Sequence, residues 1–210
     1  MEIKKLNKMK TISLSIATVL LFILSLGNTA KAAVKNSNIA TVLSEVNNFT
    51  NIEVNGNVEL YVSTGEANKV KVYDSYYNQN ALVQEQNGTL RISSYKAEKL
   101  VVWVTVADLR SISATDNAVI KSFGKLSSID FKLNLKDKAT AQLDLDASSA
   151  SVVLNGNAKA KLSGFAGESV ITADPSAHLN MAKLTSGKST VEKPVEIAAV
   201  AQTDDLIVLE

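Results

Sequence analysis

Ile112-Ser-Ala-Thr-Asp-Asn-Ala118, Leu133-Asn-Leu-Lys-Asp-Lys-Ala139, Val152-Val-Leu-Asn-Gly-Asn-Ala158 and Ile171-Thr-Ala-Asp-Pro-Ser-Ala177 are four versions of one seven-residue pattern. Each closes on alanine, and the alanines are spaced 21, 19 and 19 residues apart. Self-similarity at a period of about 20 residues marks a stack of like units, each too small to bury its apolar face without a neighbour.

Counting from the closing alanine fixes the local structure. Two residues on stand Ile120, Ala141, Ala160 and Leu179; four on stand Ser122, Leu143, Leu162 and Met181. Four back stand Ala114, Leu135, Leu154 and Ala173, and six back stand Ile112, Leu133, Val152 and Ile171. All are apolar or small except the hydroxyl of Ser122. Three on stand Lys121, Gln142, Lys161 and Asn180. This alternation has the period of a strand with one buried face. A helical period would wind the apolar set around the axis. Turn formers recur in place as Asp116-Asn117, Asp137-Lys138, Gly156-Asn157 and Pro175-Ser176. Strands of one register that recur at this period stack like on like, as in a β-helix. A meander or sandwich of hairpins also predicts the turns. It gives no reason for one residue class to recur at each offset.

The chain has 210 residues, 22 basic and 21 acidic, for a net charge of +1. No overall field attracts nucleic acid or an anionic membrane. With no cysteine, disulfides and thiolate chemistry are excluded. Residues 1–32 read as a signal peptide: Lys4, Lys5, Lys8 and Lys10 precede the apolar run Ile12 to Leu26, and Ala30-Lys-Ala32 offers a cleavage site. Residues 33–45 read as a flexible N-terminal segment and 46–210 as the folded domain. An exported protein, periplasmic, surface-located or secreted, is expected. It is not membrane-integral after cleavage.

The first half of the domain is less regular. Ile52, Val54, Val58, Leu60 and Val62 alternate around Asn55-Gly-Asn57, a tripeptide that returns at Asn155-Gly-Asn157. Asn87-Gly88 predicts a hairpin between Ala81-Leu-Val83 and Leu90-Arg-Ile92. Such a hairpin can close one end of the stack against edge pairing. The repeat fades past Thr185, Lys193-Pro194 breaks it, and Leu206-Ile-Val-Leu209 is expected as a strand capping the other end.

Phe49-x-x-Ile52-x-Val54-x-Gly56-x-Val58-x-Leu60, then Leu90-Arg-Ile92, then Val101-Val-Trp-Val-Thr-Val106 leading to Leu109-x-x-Ile112, resemble the auto-transporter adhesin head family, or GIN domain. The resemblance covers roughly Val46 to Leu184. It implies a single-stranded, right-handed parallel β-helix (β-solenoid), here with an irregular, hairpin-containing N-terminal part. It implies no catalytic residues. The turns depart from the family's Gly-Ser-Gly-like form, and its Gly-rich ending is missing.

Few residues carry chemistry. His178 is the sole histidine, so a catalytic triad or a two-histidine metal site within one chain is excluded. His178 is expected at an exposed strand position. Asp144 and Asp146 alternate on one strand, with Asp130 and Asp137 near in sequence. They could serve a polysaccharide-active enzyme, or merely solvate an outer face. Tyr73, Tyr76 and Tyr77 lie among Asn and Gln in an expected loop. Such rings stack on sugars or on protein partners. Trp103 is expected in the core; facing outward, it would instead contribute to a carbohydrate platform.

The expectation is a non-catalytic exported binding or adhesion module without cofactor or metal. Its candidate ligand residues are Tyr73, Tyr76 and Tyr77, and its partner an envelope polysaccharide or surface protein. A self-assembling envelope structural protein, homo-oligomeric through its stack ends, and a polysaccharide-active enzyme are the alternatives.

Overall fold

The computed structural model describes residues 41–43, 46, 48–73 and 81–192. The expected signal peptide, Tyr76, Tyr77 and the strand Leu206 to Leu209 lie outside the described residues, as does most of the segment 33–45. The described residues form twelve strands and no helix. They are β1 (Thr41–Leu43), β2 (Asn51–Gly56), β3 (Val58–Thr64), β4 (Lys69–Tyr73), β5 (Ala81–Gln86), β6 (Thr89–Ser94), β7 (Leu100–Val106), β8 (Ser111–Ala114), β9 (Val119–Leu135), β10 (Thr140–Leu154), β11 (Lys159–Ala173) and β12 (His178–Glu192).

All twelve join one curled sheet around an apolar core. The two ends of β9 pair with different short strands, Val119 to Ser122 with β3 and Lys132 to Leu135 with β8, so each long strand supplies two walls of the curled sheet. In one wall the apolar ladder runs Leu90, Ile52, Ile112, Leu133, Val152, Ile171, each in register with the next across parallel strands. Beside it runs Ile92, Val54, Ala114, Leu135, Leu154, Ala173. In the other wall Val102, Leu60, Ile120, Ala141, Ala160 and Leu179 align the same way. From Ile112, Ala114 and Ile120 onward these are the columns that the repeat predicts. Their inward side chains are almost wholly buried up to β11, and Ala173 and Leu179 are only partly so.

Turns join the walls at the predicted places. The amides of Ala118, Ala139 and Ala177 donate to the carbonyls of Thr115, Lys136 and Asp174 at 3.2, 3.0 and 3.0 Å. Asp116, Asp137 and Gly156 occupy one equivalent position with φ of 59°, 59° and 64°. Asp tolerates this left-handed region better than most side chains and Gly enters it freely. The fourth turn has Pro175 there, whose ring fixes φ at a negative value.

The sheet is mixed, which corrects the expectation of a uniformly parallel β-helix. β4 runs antiparallel to β7 and β5 antiparallel to β6. The order is also not that of the chain: β2 lies between β6 and β8, and β3 between β7 and β9. The unit 51–64 is thus covered by 89–106, and β4 with β5 retraces that covering unit backwards. Asn87 and Gly88, with φ of 53° and 74°, make the predicted hairpin that reverses the chain. β1 pairs antiparallel with β4 at the outer edge. At the other end the stack outlasts the readable repeat, because β12 stays paired with β11 as far as Glu192.

The unequal alanine spacing has a local cause. Between β9 and β10 the register slips after Lys121–Gln142 and resumes at Lys125–Asp144. Ser122, Phe123 and Gly124 therefore oppose Leu143 alone, and two extra residues bulge outward. Gly124 takes φ 81° there. The Ser122 hydroxyl accepts the amide of Asp144 at 2.9 Å, a donor that the slip would otherwise leave without a ladder partner.

Candidate functional site

The bulge carries Phe123 to the outside of the wall, where it is 65% exposed. There it meets Trp103, ring centroids 5.6 Å apart and tilted by 57°. Trp103 lies flat on Tyr61 at 4.6 Å and 18°, and Tyr73 approaches its other side at 6.4 Å. The register explains this: Tyr61 of β3 is directly opposite Trp103 of β7 on one outward row. Trp103 is therefore only half-buried, which corrects the expectation that it belongs to the core. Val102, Val104 and Val106 take the inward positions instead.

A charged pair borders the shelf. Lys121 donates to Glu59 Oε1 at 2.6 Å and sits 5.4 Å from the Tyr61 ring centroid. The Tyr61 hydroxyl donates to the same oxygen at 2.9 Å, and Lys99 stands 3.8 Å from Oε2. The Lys121 hydrogen bond chiefly holds the Glu59 carboxyl below its ordinary pKa, against the opposing push of burial. Glu59 in return raises the Lys121 ammonium. These contacts restrain Tyr61 in plane beneath Trp103. Beside the rings, Tyr61, Phe123, Gln142, Asp144 and Ser163 line a shallow depression of about 360 Å³.

The row continues past the rings. Lys71, Trp103, Tyr61, Lys121, Gln142, Lys161 and Asn180 are successive register neighbours across seven strands. A groove of about 600 Å³ runs along β9 to β12 on this wall, next to the aromatic end.

Of the predicted ligand residues, Tyr73 joins the shelf edge; Tyr76 and Tyr77 follow it in the chain outside the described residues. Sequence reasoning does not single out Tyr61, Phe123, Glu59 or Lys121 as site residues. The longer spacing of 21 residues and the lone hydroxyl at Ser122 both mark the bulge, and Thr105, two residues after Trp103, reveals the outward parity of that tryptophan. Asp144 and Asp146 do share the outer face, half-buried and exposed respectively, while Asp137 accepts the Asp116 amide at 3.4 Å. Among the described residues no three carboxylates or histidines converge as a metal cage would require. His178 is exposed on its strand. No helix among the described residues is long and apolar enough to cross a membrane.

Fold and surface together define an all-β scaffold of stacked strands with an aromatic, lysine-bordered outer wall. The chain belongs to the family described as "Putative auto-transporter adhesin, head GIN domain", whose model matches residues 48–194. Among solved structures it is similar to a putative adhesin from Bacteroides fragilis, with a TM-score of 0.66 at 16% identity over 74% of this chain and 75% of that one. A putative adhesin from Parabacteroides distasonis aligns with a TM-score of 0.54 at 15% identity, over 74% and 79%. A putative lipid binding protein from the same organism also gives 0.54, at 9% identity over 75% and 79%. At these identities the likeness is one of fold. No curated protein matches the sequence.

Proposed function

We propose that this protein is an exported, non-catalytic adhesion-type module that binds an envelope polysaccharide on its outer wall. The observation that carries the reading is the outward stack of Trp103 on Tyr61, flanked by Phe123 and Tyr73. A solvent-facing indole in offset stacking is an amphipathic plate suited to the apolar face of a sugar ring. Gln142 and Asn180 on the same row offer amide donors and acceptors to hydroxyls. The family description and the signal-like residues 1–32 support export. The parallel stack of β8 to β12 supports a β-helix as the rigid carrier, on which a flat site needs no loop to order. Tyr76 and Tyr77, close after Tyr73, extend the proposed site.

A glycan-binding screen with the purified protein tests this. Bound glycan is expected to quench tryptophan fluorescence, for which Trp103 is the only source in the chain. Trp103→Ala should weaken binding by about tenfold or more, or ~1.4 kcal/mol, in a protein that melts lower for loss of the ring contacts but still unfolds cooperatively. Retained affinity in that variant would move the site elsewhere.

One observation favours a second reading, end-to-end assembly. Among the described residues β12 pairs on one side only, and Leu179, Met181 and Leu184 are only partly covered there. Concentration-dependent oligomers in sedimentation would support it.

A further inference from the structure

The charge on the aromatic wall is not that of the chain as a whole. The groove along β9 to β12 is lined by Lys121, Lys159, Lys161 and His178, and by no carboxylate. Of the two carboxylates nearest in the register rows, Glu59 holds Lys121, and Asp144 stands outside the groove, in register with Lys125. Lys159 and Lys161 are exposed and form no ion pair among the described residues. They stand two residues apart on β11, hence on one face, about 7 Å from each other along the strand. Adjacent strands bring Thr140 and Gln142 alongside them at about 4.8 Å. Across the bend the same strands carry Asp130, Lys132, Glu168 and Lys188 outward, and there Lys188 pairs with Glu168 at 2.9 Å. The segregation is thus specific to one wall.

We infer that this groove is a track for an anionic polysaccharide, a chain whose sugars bear carboxylate groups. The inference rests on the polysaccharide reading above and names the class of sugar. A concave surface lined by cations on one side of a neutral protein focuses attraction for a polyanion without burdening the rest of the molecule. The hydroxyl and amide groups between the lysines match the sugar hydroxyls between carboxylates. The aromatic shelf gives the same chain a place to stack, since Lys121 belongs both to the groove and to the Tyr61 ring. A lipid headgroup would need apolar side chains projecting beside the lysines, and the outward residues lining the groove are mostly polar.

The test compares polygalacturonate, uncharged dextran and polyaspartate as ligands for the purified protein, its Lys159→Glu/Lys161→Glu variant and its Trp103→Ala variant. Polygalacturonate is expected to bind about tenfold or more tightly than dextran at low salt, with the margin shrinking as salt screens it. The double lysine variant should lose that margin and keep any dextran binding, while Trp103→Ala should weaken both sugars. If the lysine variant binds polygalacturonate as well as the wild type, the groove is not the track, and the shelf reading survives through its Trp103 dependence. Polyaspartate bound as tightly as polygalacturonate, with neither depending on Trp103, would overturn the assignment to a sugar. Binding of neither polysaccharide would overturn both readings together.

Discussion

The units from β10 to β12 and the units from β2 to the start of β9 are built on the same ladder, yet they differ in what departs from it. The later units repeat in chain order with alanines 19 residues apart, and depart from the ladder by one extra residue in β12 opposite Leu162 and by the exposed ring of Phe165. The earlier ones are stacked out of order, closed by a reversed pair of strands, and extended by the two-residue bulge. Every ring of the shelf comes from that earlier region or its boundary. Regularity supplies the rigid inner columns, and the irregularities place the side chains that can meet a partner.

The largest expected effect lies in the regular part. Leu154 is fully buried, between Leu135 and Ala173 in its column. Leu154→Asp puts a carboxylate there with no partner, and the loss should be at least about 3–5 kcal/mol, enough to unfold the stack. A cooperative unfolding transition at wild-type temperature would mean that the ladder does not carry the stability assigned to it.

Two glycines sharpen the contrast at the next level. Gly164 in β11 has φ 96°, and a Cβ there would run into the Leu145 carbonyl oxygen of the neighbouring strand. Gly164→Ala should therefore cost about 2–3 kcal/mol. Gly88, in the hairpin of the earlier region, has φ 74°, but a methyl group added there would meet nothing within 4 Å. Gly88→Ala meets only the left-handed backbone preference, about 1 kcal/mol. Chemical denaturation of both variants checks the order, and equal losses would show that the close approach of the neighbouring strand at Gly164 adds nothing to its backbone strain; Gly56 of β2, equally close to the Ser94 carbonyl oxygen, should behave as Gly164 does.

What could be read from the sequence divides along the same line. The inward columns were legible because like residues recur at fixed offsets, and Ile112, Leu133, Val152 and Ile171 do align. The Asn87-Gly88 hairpin was legible because its φ values require those residue types. The insertion of 51–64 between 89–106 and 111–122 was not, since alternation fixes which face a residue takes but not which strand lies beside it. The shelf was hidden for a related reason. Tyr61 and Trp103 are 42 residues apart and meet only through that non-sequential pairing.

Deleting Phe123 and Gly124 would impose the later spacing of 19 on the earlier unit. The inner columns on both sides already match, so stability should stay within about 1 kcal/mol of wild type. Loss of the neighbouring ring should change Trp103 fluorescence, and glycan binding should fall. An unfolded product would show that the bulge is structural and not an addition to the ladder.

The Glu59–Lys121 pair gives a smaller, pH-dependent effect. Glu59 is held below its ordinary value of 4.5, mainly by the Lys121 hydrogen bond. A carboxylate depressed by folding contributes stability that is complete above its unfolded value and is lost as pH falls through the lower folded one. Melting temperatures of the wild type and Glu59→Gln should therefore differ near neutrality and converge as acid is added below about pH 4.5. Parallel curves through that window would mean that the pair does not restrain the shelf.

The smallest expected change is at Lys161. Its neighbours Ala160 and Leu162 are buried, so strand parity puts Lys161 outside. Lys161→Asp removes no packing and no ion pair among the described residues, and stability should move by no more than about 0.5 kcal/mol. A one-residue slip of β11 would invert this outcome, since it would bury position 161 and expose Leu162. A loss comparable to that of Leu154→Asp would thus overturn the register on which the shared row of Trp103, Tyr61, Lys121 and Lys161 depends. A stable variant with weakened polygalacturonate binding would instead separate the two duties of a strand in this fold, the inward face holding the stack and the outward face meeting the ligand.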